Sequence, residues 1–382
     1  MIYESGIDLY WISFALTISI AVSFFFGKLL ELRSSLVAII FAEHFAMLFV
    51  YINFVSIYGG DLIGYWNNSI EFEYDFTPGT KFITSLVKVV SFFVGYDFWA
   101  TNIVFMTFGV LAVELLAKIL LDLNNSHVYK NNFTIAAMIL FPSLHYWSSS
   151  IGKDGLALLS ITLYIYAISH QKYKRLLFIV LSLVIMLFTR VYVVAIMILL
   201  LGLCELSSNN SVKIKLFIFV MLLLSAIFAM IAIPQYYELG EKYNVENIDF
   251  IAIQNLFSER ENYNTDGVSS YAISNLSIIE RMLSYMYRPF FVDAPGIYGL
   301  LASLENIFLV SLSVRSLLNI RTYFLNPKNL VFWNLIFLFI VLLLMLSYTT
   351  ANMGIAMRQK TMILPCFMYI CLFGLRETIK KN

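Results

Sequence analysis

Residues 331–348 read VFWNLIFLFIVLLLMLSY, a run without one Asp, Glu, Lys or Arg. A helix rises about 1.5 Å per residue, so about 20 residues cross the roughly 30 Å of hydrocarbon in a bilayer. Lipid offers no partner for a backbone N–H or C=O, and a helix satisfies both within the segment. The run therefore predicts a transmembrane helix, and with it an all-α, polytopic membrane protein. Working outward by the same criterion, further apolar runs lie near 9–27, 35–58, 99–121, 133–148, 155–169, 176–189, 191–206, 214–234, 291–313 and 361–375. Together they predict about eleven crossings in a single integral membrane domain, 1–382.

Composition agrees. Of 382 residues, 60% are hydrophobic and 13% charged, which excludes a water-soluble domain. The 25 Lys and Arg against 24 Asp and Glu leave no basic footprint, so nucleic acid is excluded as a partner. Cys204, Cys366 and Cys371 fall in or beside apolar runs, which points to neither a disulfide framework nor a metal cluster, and no cofactor motif is present. The opening MIYESGIDLYW has acidic residues and no basic stretch, so its apolar run reads as a retained helix.

Lys and Arg are retained on the cytoplasmic side of membrane proteins. Lys28 and Arg33, Lys118 and Lys130, Lys172, Lys174 and Arg175, Lys213 and Lys215, Arg315, Arg321 and Lys328, and Arg376, Lys380 and Lys381 all fall on one side if every run crosses. The segment 176–206 is either a hairpin around Arg190 or one long tilted helix, and this alternation favours the hairpin. Two external stretches remain. Residues 59–98 include the half-apolar FITSLVKVVSFFVGY, and the larger polar loop 235–290 suits interfacial helices or a lid. Pro142 and Gly152 around WSSSIGKD (147–154) predict a re-entrant break in the helix.

Five cations run against the charge bias: Lys153, Arg190, Arg288, Arg358 and Lys360 stand at external ends of apolar runs. One reading is snorkelling to headgroups and pairing with Asp154, Glu114 or Glu305. The other is a shared anionic ligand, for which phosphate or pyrophosphate fits guanidinium and ammonium groups. Gly152-Lys153-Asp154 lacks the earlier glycine and following Ser or Thr of a nucleotide-binding P-loop.

Chemistry at a hydroxyl needs a base within hydrogen-bond reach. Asp61 in IYGGDLIGYW is the first candidate, with Tyr65 and Trp66 offering a stacking face for a sugar; Glu305, half-way along an apolar run, and His145 follow. The bland alternatives are a turn aspartate, an arginine anchor and a core histidine. Glu43 and His44 read as structural.

The set GGDxxxY (59–65), PGT (78–80), FPSLHYWSSSIGKD (141–154), TRVY (189–192), YRPF (287–290), LEN (304–306) and NMGIAMRQKTMILP (352–365) resembles the Wzy-like repeat-unit polymerases of O-antigen and capsule synthesis. The resemblance implies an inverting, metal-independent glycosyltransferase of GT-C-like architecture in the cell inner membrane. Its substrate would be an undecaprenyl-diphosphate-linked oligosaccharide at the periplasmic face, and its partners the bilayer and a chain-length regulator. It assigns diphosphate binding to Lys153, Arg190, Arg288, Arg358 and Lys360, and leaves Asp61, Glu305 or His145 to orient the acceptor. Two rivals remain. One is a glycosyltransferase using a polyprenyl-phosphate sugar, for which Glu71, Glu73 and Asp75 would join Asp61; the other is a flippase for lipid-linked oligosaccharides.

Overall fold

The computed structural model describes residues 8–125, 132–170, 175–207, 276–294, 296–319, 329–350 and 352–375. The run 214–234 and the loop residues 235–275 lie outside them. Every regular element among the described residues is a helix, and the chain divides into two compact units.

The first unit holds α1 (Leu9–Leu29), α2 (Ser34–Tyr58), α3 (Asp61–Glu71), α4 (Thr80–Phe93), α5 (Phe98–Asn125), α6 (Asn132–Ile139), α7 (Pro142–Trp147), α8 (Asp154–Ser169) and α9 (Arg175–Thr189). The second begins within α10 (Val191–Ser207) and continues with α11 (Ile278–Tyr287), α12 (Gly296–Leu318), α13 (Leu330–Thr349), α14 (Met353–Lys360) and α15 (Leu364–Gly374).

Five of these helices, α1, α2, α5, α12 and α13, are long and apolar enough to cross a membrane. Four further apolar helices, α8, α9, α10 and α15, are shorter than a full span, and the run 214–234 lies outside the described residues, so five long spans stand where about eleven crossings were expected. The run 133–148 is not one helix: α6 stops at Ile139, Phe141 is extended, and Pro142 opens α7. Proline disfavours helical geometry in the residue before it and is tolerated in a first turn. The segment 176–206, counted as two runs, is two helices, with Arg190 non-helical between α9 and α10. The stretch 59–98, expected to be external with one half-apolar helix, carries two amphipathic helices, α3 and α4.

Helix α5 is the core of the first unit, and its composition explains why. It buries Asn102, Thr107, Gly109 and Glu114 among its apolar side chains. Membrane helices associate through small residues and interhelical hydrogen bonds, since lipid competes for apolar contact. Ser23 of α1 donates to the Glu114 carboxyl, and Thr107 Oγ1 donates to Ser19 Oγ at 2.8 Å. A Cβ on Gly109 would lie 2.3 Å from the Ser148 carbonyl oxygen, so only glycine lets the WSSSIGKD backbone sit against α5. Helices α8 and α9 are joined the same way: Ser160 Oγ donates to the Ser182 carbonyl and Ser182 Oγ to the Ser160 carbonyl, each at 2.8 Å.

Candidate functional site

In the first unit, three of the short motifs meet. Lys153 caps the start of α8, and its Nζ donates to Thr80 Oγ1 at 3.1 Å; Thr80 is the last residue of PGT and the first of α4. The preceding Gly79, at φ 102°, donates its N–H to the Phe188 carbonyl at 2.8 Å, and Phe82 stacks on Phe188 with centroids 4.7 Å apart. Two residues beyond Phe188, Arg190 Nη2 donates to Asp154 Oδ1 at 3.0 Å, both side chains being nearly buried. Adjacent residues, Lys153 and Asp154, thus tie the break in the chain to PGT on one side and to TRVY on the other. The non-helical backbone at 148–153 is held as well: the Ile151 N–H donates to Asn102 Oδ1 at 3.1 Å, and Ser149 Oγ to the Tyr146 carbonyl at 2.9 Å. Asp154 serves structure, as a partner for Arg190.

In the second unit, the YRPF, LEN and MRQK segments meet in turn. Arg288 follows α11, and its Nε donates to Asp293. Lys360, the last residue of α14, is buried, and its Nζ donates to Asn306 Oδ1 at 3.0 Å and reaches the Arg288 carbonyl at 3.5 Å. Asn306 Nδ2 donates to the Pro289 carbonyl at 2.8 Å. Burial pushes the Lys360 ammonium down to about 8, against the opposing pull of Glu305. Arg358 lies two residues before Lys360 on α14 and is half-buried. The five cations therefore divide between the units: Lys153, on Thr80, and Arg190, on Asp154, belong to one, and Arg288, Arg358 and Lys360 to the other.

The remaining candidates are placed differently. Asp61 is exposed and opens α3, after Gly59 at φ 78° and Gly60 at φ 158°. Tyr65 and Trp66, expected to present a sugar-stacking face, turn inward on the buried side of α3, with Trp66 edge-on to Phe98 at 5.3 Å. Glu305 is half-buried on α12, next to Asn306. His145 is fully buried with both ring nitrogens engaged: Nδ1 lies 2.8 Å from His44 Nδ1, and Nε2 lies 2.8 Å from the Ile139 carbonyl and 3.6 Å from Glu43. His44 in turn reaches Ser148 Oγ at 3.1 Å. His145 is thus half of a buried histidine pair in the first unit. Asp75 is committed to its own turn, accepting from the Thr77 hydroxyl and N–H and pairing with Lys81 at 3.1 Å.

Thr80, Asp293 and Asn306 hold the site cations but were not among the residues picked from the sequence. Thr80 and Asn306 do sit inside the quoted PGT and LEN motifs, which was the available signal; Asp293 carried none. Comparison of the chain with family models, with curated proteins and with solved structures finds no match.

Proposed function

We propose that the chain is a plasma-membrane glycosyltransferase, crossing the bilayer about eleven times, that joins undecaprenyl-diphosphate-linked oligosaccharide repeat units at the periplasmic face. The observation that carries this reading is the pairing of motifs in each unit around cations: Lys153 on Thr80 and Arg190 on Asp154 in one, and Lys360 on Asn306 and the Arg288 backbone in the other. A repeat-unit polymerase handles two diphosphates at once, on the growing chain and on the incoming unit, and two clusters answer that demand. A transferase using a monophosphate sugar carries one diphosphate at most, and its expected acidic partner Asp75 is occupied by Thr77 and Lys81.

In this mechanism no covalent intermediate is needed. The cations neutralise charge as it builds on the departing diphosphate, which preorganised donors achieve without rearranging water. Asp61 or Glu305 orients the acceptor hydroxyl and takes its proton as the new glycosidic bond forms on the opposite face of the sugar. A chain-length regulator in the same membrane would set when the product leaves.

The test is a reaction of the purified chain with a synthetic diphospholipid-linked repeat unit. The expected result is a ladder of products spaced by one repeat unit. Arg288→Ala and Arg358→Ala should insert normally and lose the ladder. A product one sugar longer than the substrate would replace this reading with the monosaccharide transferase, and lipid movement without a new bond would replace it with a flippase.

A further inference from the structure

Asn306 is 2% exposed, and the orientation of its amide is fixed by its neighbours. Its Nδ2 faces the Pro289 carbonyl at 2.8 Å and its Oδ1 faces Lys360 Nζ at 3.0 Å. Flipped, it would set NH2 against ammonium and oxygen against oxygen, two repulsive contacts in place of two hydrogen bonds. One side chain therefore ties α12 both to the last residue of α14 and to the Arg288–Pro289 backbone, whose other carbonyl lies 3.5 Å from the same Nζ.

Among the described residues the ligands of this buried ammonium are neutral. Among the described residues no carboxylate oxygen stands within ion-pair distance of Lys360 Nζ. The charged groups on the packed elements have other partners: Glu280 of α11 caps Ser277, Arg281 lies over the Tyr348 ring of α13 at 4.8 Å, and Tyr287 bonds Ser313. Arg288 is held by Asp293, Arg358 shares α14 with Lys360, and Glu305 of α12 acts on Lys360 through space. A buried cation without an adjacent anion is costly. Aspartate, nearly isosteric, would relieve the cost at position 306 and would also cancel the charge.

We propose that Asn306 is a positioning residue for the second cluster: it fixes Lys360 against the Arg288–Pro289 backbone while leaving the ammonium's charge uncancelled for a bound phosphate-type anion. The anion part rests on the reading of this cluster as a diphosphate site; the positioning part does not.

The two parts separate in one experiment on the full-length chain in lipid nanodiscs, following Tm against pH with and without inorganic pyrophosphate. With its ammonium lowered to about 8 from the ordinary 10.5, Lys360 is deprotonated earlier in the folded than in the unfolded chain. The unfolded chain then binds more protons across that window, so wild type gains Tm relative to Lys360→Met as pH rises from about 8 to about 10.5. Asn306→Asp should flatten that rise and weaken pyrophosphate stabilisation at pH 7 by about tenfold, the equivalent of about 1.4 kcal/mol. Asn306→Leu, which offers no acceptor, should start the rise at lower pH. Identical pH profiles for wild type and both Asn306 variants would overturn the positioning role. Shifted profiles with no pyrophosphate stabilisation in wild type would remove the diphosphate reading and leave the positioning role standing.

Discussion

Two membrane-length helices, one from each unit, are buried to very different degrees. In α5 of the first unit 78% of the most apolar stretch is buried, and in α12 of the second 28%. Both are equally plausible spans by length and composition, so apolarity alone does not separate a helix packed in protein from one whose sides stay uncovered. What separates them is the distribution of small and polar residues. Helix α5 buries Asn102, Thr107, Gly109 and Glu114 together with most of its apolar side chains, whereas α12 buries Gly299, Ser303, Asn306 and Ser316 in one stripe and leaves Leu300, Leu301, Leu304 and Ile307 exposed. In lipid, protein–protein contact is marked by residues that allow close approach or hydrogen bonding, and Leu and Ile serve either environment.

The sharpest way to break this comparison is to add a side chain where α5 meets the Ser148 backbone. Gly109→Leu drives side-chain atoms into the Ser148 carbonyl, a backbone atom that cannot swing away. The cost should exceed the roughly 1–3 kcal/mol of ordinary overpacking, with loss of the monodisperse peak on size-exclusion chromatography in detergent. Leu304→Ala on α12, at a side chain 57% exposed, should leave that peak unchanged. Equal loss from both would mean that the two helices do not differ in packing.

A second contrast lies in the ion pairs. The Arg190–Asp154 side chains are 10% and 4% exposed, and those of Arg288–Asp293 are 31% and 20% exposed. Asp154→Ala strands a guanidinium out of water and should cost about 3–5 kcal/mol in stability, by the usual behaviour of a broken buried pair. Asp293→Ala leaves a cation that water can reach, and about 1 kcal/mol is expected. Tm values of the two variants in the same detergent decide it. If Asp293→Ala proved the more damaging, Asp293 would be holding the Arg288–Pro289 turn through its bond to the Phe290 N–H as well as pairing with the guanidinium.

The sequence made the helices legible where a single physical rule governs. Run length located α1, α2, α5, α12 and α13, and the proline rule placed the break at Pro142. The motif residues carrying charge were legible too, because an ionisable group beside an apolar run stands out. Their partners were not. His44 and His145 are separated by 101 positions, and nothing in either local sequence marks one ring as the other's neighbour. Asn306 reads as an ordinary polar residue in a helix until α14 brings Lys360 against it. The burial of Tyr65 and Trp66 was hidden for a related reason: an aromatic beside a glycine turn looks available, and only the packing of α3 shows which face turns inward. Periodicity tells how a helix is divided into faces, and tertiary contact tells what each face meets.

The smallest effect concerns the exposed connection between α3 and α4, where Asp75 stands against Thr77 and Lys81. Hydrogen bonds from the Thr77 hydroxyl and N–H, with Lys81 beside them, hold this carboxyl down at about 2, below its ordinary 3.8. A depressed carboxylate stabilises the fold above its unfolded pKa, and that contribution is lost as pH falls from about 4 towards about 2. Asp75→Asn cannot titrate, so its Tm should lie slightly below wild type near neutrality and converge on it as pH falls across that interval. Because both Asp75 and Lys81 are largely in water, the difference should be small beside that of Asp154→Ala, where the same type of charge is shut away from solvent. A large loss from Asp75→Asn at neutral pH would show that this turn anchors the PGT segment beneath Lys153, and the exposed connection would then belong with the buried core of the first unit.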